Sequence, residues 1–490
     1  MHDGTAFTRA LTRSETLLSP RGAPRMPWVQ VAPDAPYFVT EDGAPWTPIG
    51  QNDAITWLEF RGLWGRTDLD AFERHVTWLR DSGVTVMRLM LEYAQYRKAH
   101  FERPIGRWRP EMVRLWDDVV MVCERVGMRL LLTPVDTFWT WLRWDEHPWN
   151  SKNGGVVDSP SRLLLDAGCR QAIKDRLSFM VERWGGSGAI FAWDLWNEIH
   201  PAQSEERADE WPEFIHDLSR HVRELELRLF GRTHLQTVSL FGPELRWRAH
   251  LPMRDPIFRH PDLDFATVHF YAEGAIDDPV NTVDCAPATA ELVRECLAET
   301  PPGRPFLDSE HGPIHGFKDK KITLPAAFDD EYFRHMQWAH LAAGGAGGGM
   351  RWPNRHPHVL TRGMRRAQAA TTGFLGLIDW PRLRRVNLNA EVGVEGAAVH
   401  VAACGDPEQA AVWLLRRDTV RQDGTVDRTA APVSPKVTVP GLEPGRYRVT
   451  GWDTLEGREA AGLEAEAGDD GLTFVAPAFA ADLALAVRRI

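Results

Sequence analysis

Ala189-Ile190-Phe191-Ala192-Trp193-Asp194-Leu195-Trp196-Asn197-Glu198-Ile199-His200 is an apolar run that ends on a polar pair. Residues 189–196 read as a buried strand. A helical pattern over 166–184 precedes it and a long one over 205–230 follows it. The same alternation extends in both directions. Upstream, strands are expected at 46–51, 84–90 and 130–135. The helices between them are expected at 68–81, which ends at Gly83, and at 110–125, which opens on Pro110 and closes at Gly127. Downstream, strands are expected at 235–241, 265–270, 305–308 and 346–352, with helical patterns at 288–299, 328–343 and 361–373. The helix between the fifth and sixth strands is weak, because Pro243, Pro252 and Pro256 interrupt it. Eight strand–helix units in a row imply a parallel sheet closed into a (β/α)8 TIM barrel, an α/β fold. A doubly wound open sheet is the alternative, and no G-x-G-x-x-G after an early strand supports its dinucleotide-binding form.

Beyond residue 390 the texture changes to short apolar runs separated by turns such as Asp423-Gly424 and Asp469-Asp470-Gly471. That pattern is all-β and sandwich-like. The expected organisation is an N-terminal extension over 1–35, a catalytic barrel over 36–385 and a C-terminal β-sandwich domain over 390–490. The last is expected to cap the barrel, with support of a homo-oligomer as a further role.

The chain has 490 residues, 43% of them hydrophobic, enough for a large core, and a formal net charge of −11 without a basic run. Nucleic acid is therefore not an expected partner. No stretch reaches the roughly 20 apolar residues of a membrane span. Five scattered cysteines, an odd number with no C-x-x-C, suit reduced thiols and a cytoplasmic location. Twenty-one tryptophans against six tyrosines are unusual. An exposed indole offers a flat apolar face on which a sugar ring can stack, although Trp116 and Trp184 fall in helical patterns and read as core.

Asn197-Glu198 lies where the fourth strand ends, and in a barrel those ends carry the active site. Phe306-Leu307-Asp308-Ser309-Glu310-His311-Gly312 repeats the arrangement at the end of the seventh strand. The two strand ends lie across one barrel mouth. Two carboxyl groups flanking one bond are what glycosidic cleavage requires, one protonated to assist the leaving oxygen and one ionised to attack the anomeric carbon. His311 and His315 are four apart, but no H-E-x-x-H supports a metal, and none is expected. No cofactor is expected either.

Over about residues 40–375 the chain resembles glycoside hydrolase clan A, and within it glycoside hydrolase family 5. Asn197-Glu198 matches the family's asparagine and acid/base, and Glu310 its nucleophile. Arg88 resembles the arginine beside the nucleophile. His269 and Tyr271 resemble the His-x-Tyr after strand six, and Trp352 the strand-eight tryptophan under the sugar. Val135-Asp136-Thr137-Phe138-Trp139 stands where many members carry a histidine, so Asp136 binds a sugar hydroxyl or caps a turn. Asn52 and Trp57 after strand one and Trp139 after strand three are further candidate sugar contacts. The resemblance implies a retaining β-glycosidase with a carbohydrate substrate. Exo action on small oligosaccharides or glycosides, of β-mannosidase or β-glucosidase type, is expected first. An endo-acting mannanase or cellulase, another clan A activity (arabinofuranosidase, galactosidase) and a non-catalytic sugar-binding barrel are the alternatives.

Overall fold

The computed structural model describes residues 26–55, 58–65, 68–92, 100–313, 324–352 and 361–490. Eight parallel strands form the barrel: β1 Gly50–Asp53, β2 Val86–Met90, β3 Arg129–Thr133, β4 Ile190–Asp194, β5 in two segments Leu235–Thr237 and Ser239–Phe241, β6 Ala266–His269, β7 Phe306–Leu307 and β8 Met350–Arg351. One ladder runs β8-β1-β2-β3-β4-β5. The second segment of β5 pairs with β6, and β6 with β7. His311 bridges both Phe270 and Arg351, which joins β7 to β8 and closes the ring. The strands are buried, except at Phe241 closing β5, which is why they read as continuous apolar runs rather than as alternation.

Helices lie where the 3.6-residue period puts them. Leu69–Asp81 starts at Asp68, whose carboxylate accepts from the Ala71 amide at 2.8 Å. Pro110–Val126 stops at Gly127 in the left-handed conformation (φ +86). Ala167–Trp184 is capped by Asp166. Two expectations needed correction. The helix expected at 205–230 begins only at Trp211, because Pro212 requires a first-turn position; a short 3-10 turn, Ala208–Glu210, precedes it. The first strand is 50–53, not 46–51. Pro45–Trp46 pairs instead with Phe38–Thr40, which pairs with Val29–Val31, in a three-stranded antiparallel sheet. Phe38 and Trp46 from this sheet pack on Phe191 of β4, at 5.2 and 4.6 Å between ring centroids. Gly50 opens β1 because the Val86 carbonyl would lie 2.3 Å from a Cβ there.

The interrupted stretch after β5 holds two short helices, Glu244–Trp247 and Arg254–Phe258. After the last barrel helix, Arg362–Leu375, the chain forms one nine-stranded antiparallel sheet with its own apolar cluster, including Val412, Val437, Val449, Leu472 and Leu485. Its two tryptophans face the barrel rather than solvent. Trp452 donates to the Ala370 carbonyl at 3.0 Å, and Trp413 is buried beside His335. Neither ring is exposed as a stacking platform, and both pack against barrel helices.

Asp482 is the polar anchor of that contact. It is buried between Arg334 of the barrel helix Ala326–Ala342 (3.5 Å) and Arg428 (3.2 Å), and it accepts from Trp413 and Thr454. Those cations outweigh the cost of burial and hold its carboxyl far below the usual carboxylate range. A depressed carboxylate stabilises the fold above its unfolded pKa, about 3.9, and loses that contribution as pH falls. Asp482→Ala should therefore cost about 3 kcal/mol in urea unfolding at pH 7, since it leaves the buried Arg334 with only the longer ion pair to Glu331, at 3.7 Å. The gap to the parent should narrow below about pH 4.

Candidate active site at the barrel mouth

Arg88 on β2 is completely buried and reaches β1 and the ends of β4 and β7. Its Nη1 donates to Glu310 Oε2 (2.7 Å) and to Asn52 Oδ1 (2.9 Å). Its Nη2 donates to Asp194 Oδ2 (2.8 Å) and to Asn197 Oδ1 (2.6 Å). A planar fork with fixed donors can serve four acceptors at once; a lysine cannot. Burial would discharge the guanidinium, but Asp194 and Glu310 more than offset this and raise its pKa.

Glu310 follows β7. Its second oxygen accepts from the Tyr271 hydroxyl at 2.6 Å, and its amide donates to Asp308. Glu198 follows β4 in left-handed backbone (φ +50). That conformation costs a non-glycine residue about 1–3 kcal/mol and persists only where neighbours impose it. Here Ser239 Oγ accepts from the Glu198 amide (3.1 Å), and Thr137 Oγ1 donates to its carbonyl (2.8 Å). The Glu198 carboxyl shares a 2.7 Å hydrogen bond with His269 Nδ1, and His269 Nε2 faces Ser309 Oγ at 3.1 Å. A Glu198 oxygen, a Glu310 oxygen and a His269 nitrogen all lie within 4.8 Å of one another.

The two carboxyl groups differ electrostatically. Burial, then the charge on Glu310, then Asp136, push Glu198 well above the usual carboxylate range. Burial also raises Glu310, against the opposing pull of Arg88 and the Tyr271 hydrogen bond. The cation thus limits the rise at Glu310 without reversing it, and Glu198 is the better proton holder of the pair. His269 is kept neutral by burial and by Arg88. Burial keeps the Tyr271 hydroxyl protonated, assisted by the Glu310 charge.

Of the residues singled out from the sequence, Arg88, Asn197, Glu198, His269, Tyr271 and Glu310 form this one hydrogen-bonded cluster. Asp136 joins it: its Oδ1 accepts from Asn197 Nδ2 (2.8 Å) and from the Phe138 amide (3.1 Å). It therefore does cap a turn. Burial raises its pKa to about 7 despite those bonds. Trp352 continues β8 at the same mouth, 8% exposed, its amide donating to the His311 carbonyl. Asn52 departs from expectation. Its amide donates to the Ser309 and Met350 carbonyls and its oxygen accepts from Arg88, so it is a strut of the site and not a sugar contact. Trp57 lies outside the described residues. Trp139 falls in the helix Thr137–Leu142, with its side chain outside the described set.

Asp194 and Ser239 carry no role in the sequence reading and are central here. Asp194 accepts from Arg88, Thr133, and both the amide and hydroxyl of Ser239. The signal was a charged residue closing an apolar strand. Glu198, His269 and Glu310 also have the spacing of a metal triad. Both Glu310 oxygens are already engaged, however, and a guanidinium stands 2.7 Å away as the positive charge of the site. His311 is held by Asp308 at 2.7 Å, and His315 lies outside the described residues.

No protein-family model matches the chain, and no curated protein matches it. Solved structures do match. One glycoside hydrolase aligns with a TM-score of 0.59 at 13% identity, covering 94% of this chain and 97% of that one. A glycoside hydrolase family 5 protein from Bacteroides vulgatus aligns at 0.59 and 11%, covering 94% and 93%. A family 5 mannosidase from Rhizomucor miehei aligns at 0.50 and 15%, covering 67% and 86%. At these identities the likeness establishes the fold: a (β/α)8 barrel with a C-terminal β domain, shared with glycoside hydrolases that include family 5 members.

Proposed function

We propose that the chain is a retaining glycoside hydrolase of the family 5 type that cleaves β-glycosidic bonds by double displacement. The observation that carries this reading is the pair Glu198 and Glu310, with oxygens within 4.8 Å of one another and proton affinities set apart by their surroundings. Retaining enzymes hold their carboxyl groups about 5–5.5 Å apart, and inverting ones about 6.5–9.5 Å.

In this reading Glu310 attacks the anomeric carbon while Glu198 gives its proton to the departing oxygen. The negative charge on Glu310 disappears when the glycosyl ester forms. Its contribution to the high Glu198 pKa disappears with it, so the Glu198 carboxylate can then take a proton from water as that water attacks the ester. Asn197 keeps one amide hydrogen beyond the one given to Asp136, suited to a sugar 2-hydroxyl. Asp136 Oδ2 has no hydrogen-bond partner among the described residues and is not one of the buried unpaired atoms. It is suited to accept from a glycone hydroxyl. Trp352 is read as the floor under that sugar. Exo action on small β-mannosides or β-glucosides is our narrower reading. It is supported by the length of the segment between β3 and the helix Ala167–Trp184, which folds into the helix Thr137–Leu142 and three short 3-10 turns. Among the described residues no helix is long and apolar enough to cross a membrane. All five cysteines are buried free thiols, which supports a cytosolic setting.

A panel of aryl β- and α-glycosides should yield turnover of a β-glycoside. Glu310→Gln should then lose about 10⁴-fold or more in kcat with an unchanged melting curve; near-parental activity would remove Glu310 from the nucleophile role. Glu198→Ala should keep more activity on good leaving groups than on poor ones and regain some with azide.

The pH profile supplies a third expectation. Activity rises with pH as Glu310 ionises and falls as Glu198 loses its proton. Asp136 raises the Glu198 pKa. Asp136→Asn should therefore move the alkaline limb of kcat/KM to lower pH; a limb that stays in place or moves up would contradict the coupling.

A further inference from the structure

Four side chains form a row that ends at the Glu198 carboxyl, and its first two members carry no role in the mechanism above. Thr267 Oγ1 donates to Ser309 Oγ at 2.7 Å. Ser309 Oγ faces His269 Nε2 at 3.1 Å, and His269 Nδ1 faces Glu198 Oε1 at 2.7 Å. Thr267 and His269 lie two apart on β6 and so share one face of the strand, while Ser309 follows β7 next to Glu310. Thr267, His269 and Ser309 are fully buried.

Counting hydrogens along the row leaves one consistent arrangement. His269 is held neutral, so one ring nitrogen carries a hydrogen and the other accepts one. A hydrogen on Nε2 would point at Ser309 Oγ, which already accepts from Thr267. The hydrogen of the Ser309 hydroxyl would then have no acceptor among the described residues, and a buried donor left unpaired is costly. With the hydrogen on Nδ1, Ser309 donates to Nε2, His269 donates to Glu198 Oε1, and every hydrogen has an acceptor. Oε1 is thereby occupied. Glu198 Oε2 has no hydrogen-bond partner among the described residues and is not one of the buried unpaired atoms.

We propose that Thr267 and Ser309 are positioning residues: their hydroxyls hold His269 in its Nδ1–H form and so put the acid proton of Glu198 on Oε2, the carboxyl oxygen left for the glycosidic oxygen. This rests on the glycosidase reading above. The arrangement acts twice in the reaction. It keeps the acid proton off His269 Nδ1. It also supplies a donor to Oε1 as negative charge develops on Glu198, when the proton passes from Oε2 to the leaving oxygen and the bond from that oxygen to the anomeric carbon breaks. Among the described residues no other side chain donates to that carboxyl; the charged groups facing it are Arg88, Glu310, Asp136 and Asp194.

The tautomer is read directly by nitrogen-15 NMR of the full chain labelled at histidine, with His269 identified by the signal lost in His269→Gln. A hydrogen on Nδ1 and none on Nε2 is expected; a hydrogen on Nε2 overturns the proposal whatever the substrate. The catalytic arm compares kcat/KM on a disaccharide, which needs the acid, with that on a dinitrophenyl glycoside of the same glycone, which does not. Ser309→Ala should lower that ratio roughly 10-fold, and Thr267→Val should lower it in the same direction. Both should move the alkaline limb of kcat/KM to higher pH, because losing a donor to the carboxylate raises the Glu198 pKa. Thr267→Ser keeps the hydroxyl and should restore the parental ratio. Melting curves report whether each variant is folded. An equal fall on both substrates with the limb in place, or a fall in Thr267→Ser as large as in Thr267→Val, reduces the hydroxyls to packing and overturns the proposal. Turnover of no glycoside by the parent chain overturns the glycosidase reading, and the NMR signal still decides the tautomer.

Discussion

The site depends on one buried cation. Arg88 reaches Asn52 in β1, Asp194 and Asn197 at the end of β4, and Glu310 after β7, all within 2.9 Å. Asp194 and Glu310 could not be buried together as charged groups without it, because two carboxylates in a medium of low dielectric repel each other and lose hydration. In turn they hold the guanidinium charged. This mutual requirement fixes where β1, β4 and β7 end relative to one another, and so fixes the spacing of Glu198 and Glu310.

From that hub the remaining geometry follows. Asp194 anchors Ser239, Ser239 accepts from the Glu198 amide, and that bond helps impose the left-handed backbone that turns Glu198 across the mouth. Asn52 links Arg88 to the carbonyl of Ser309, whose hydroxyl meets His269, which in turn meets Glu198. The polar network is thus a closed loop around both carboxyl groups. Most members are engaged on the protein side; among the described residues Asp136 Oδ2, one Asn197 hydrogen, Glu198 Oε2 and the buried Arg88 Nε are not.

Much of this was legible in the chain. Strands buried on both faces leave long apolar runs, and a polar residue closing such a run has little reason to be there except chemistry. That logic located Asn197-Glu198 and Glu310, and the resemblance to glycoside hydrolase family 5 added Arg88 and His269. It did not assign Asp194, because a charged strand end looks the same whether it faces substrate or an arginine from another strand. It misassigned Asn52 for the same reason: sequence shows that an amide is present, not that its two atoms are already bonded. Trp46 misled because it and residues 47–51 read as one strand. The structure splits it at Pro48, with the Trp46 ring packed on Phe191 and β1 starting where only Gly50 fits. Long-range pairing of this kind leaves no local signature.

Double displacement requires a covalent bond between Glu310 and the sugar. The most direct measurement is mass spectrometry of the protein after exposure to a 2-deoxy-2-fluoro glycosyl fluoride of the preferred glycone, which slows hydrolysis of the intermediate more than its formation. The expected result is one added glycosyl mass on the peptide that carries Glu310, lost again when a second sugar is supplied as acceptor. Turnover without any labelled peptide and with release of the inverted anomer would contradict it.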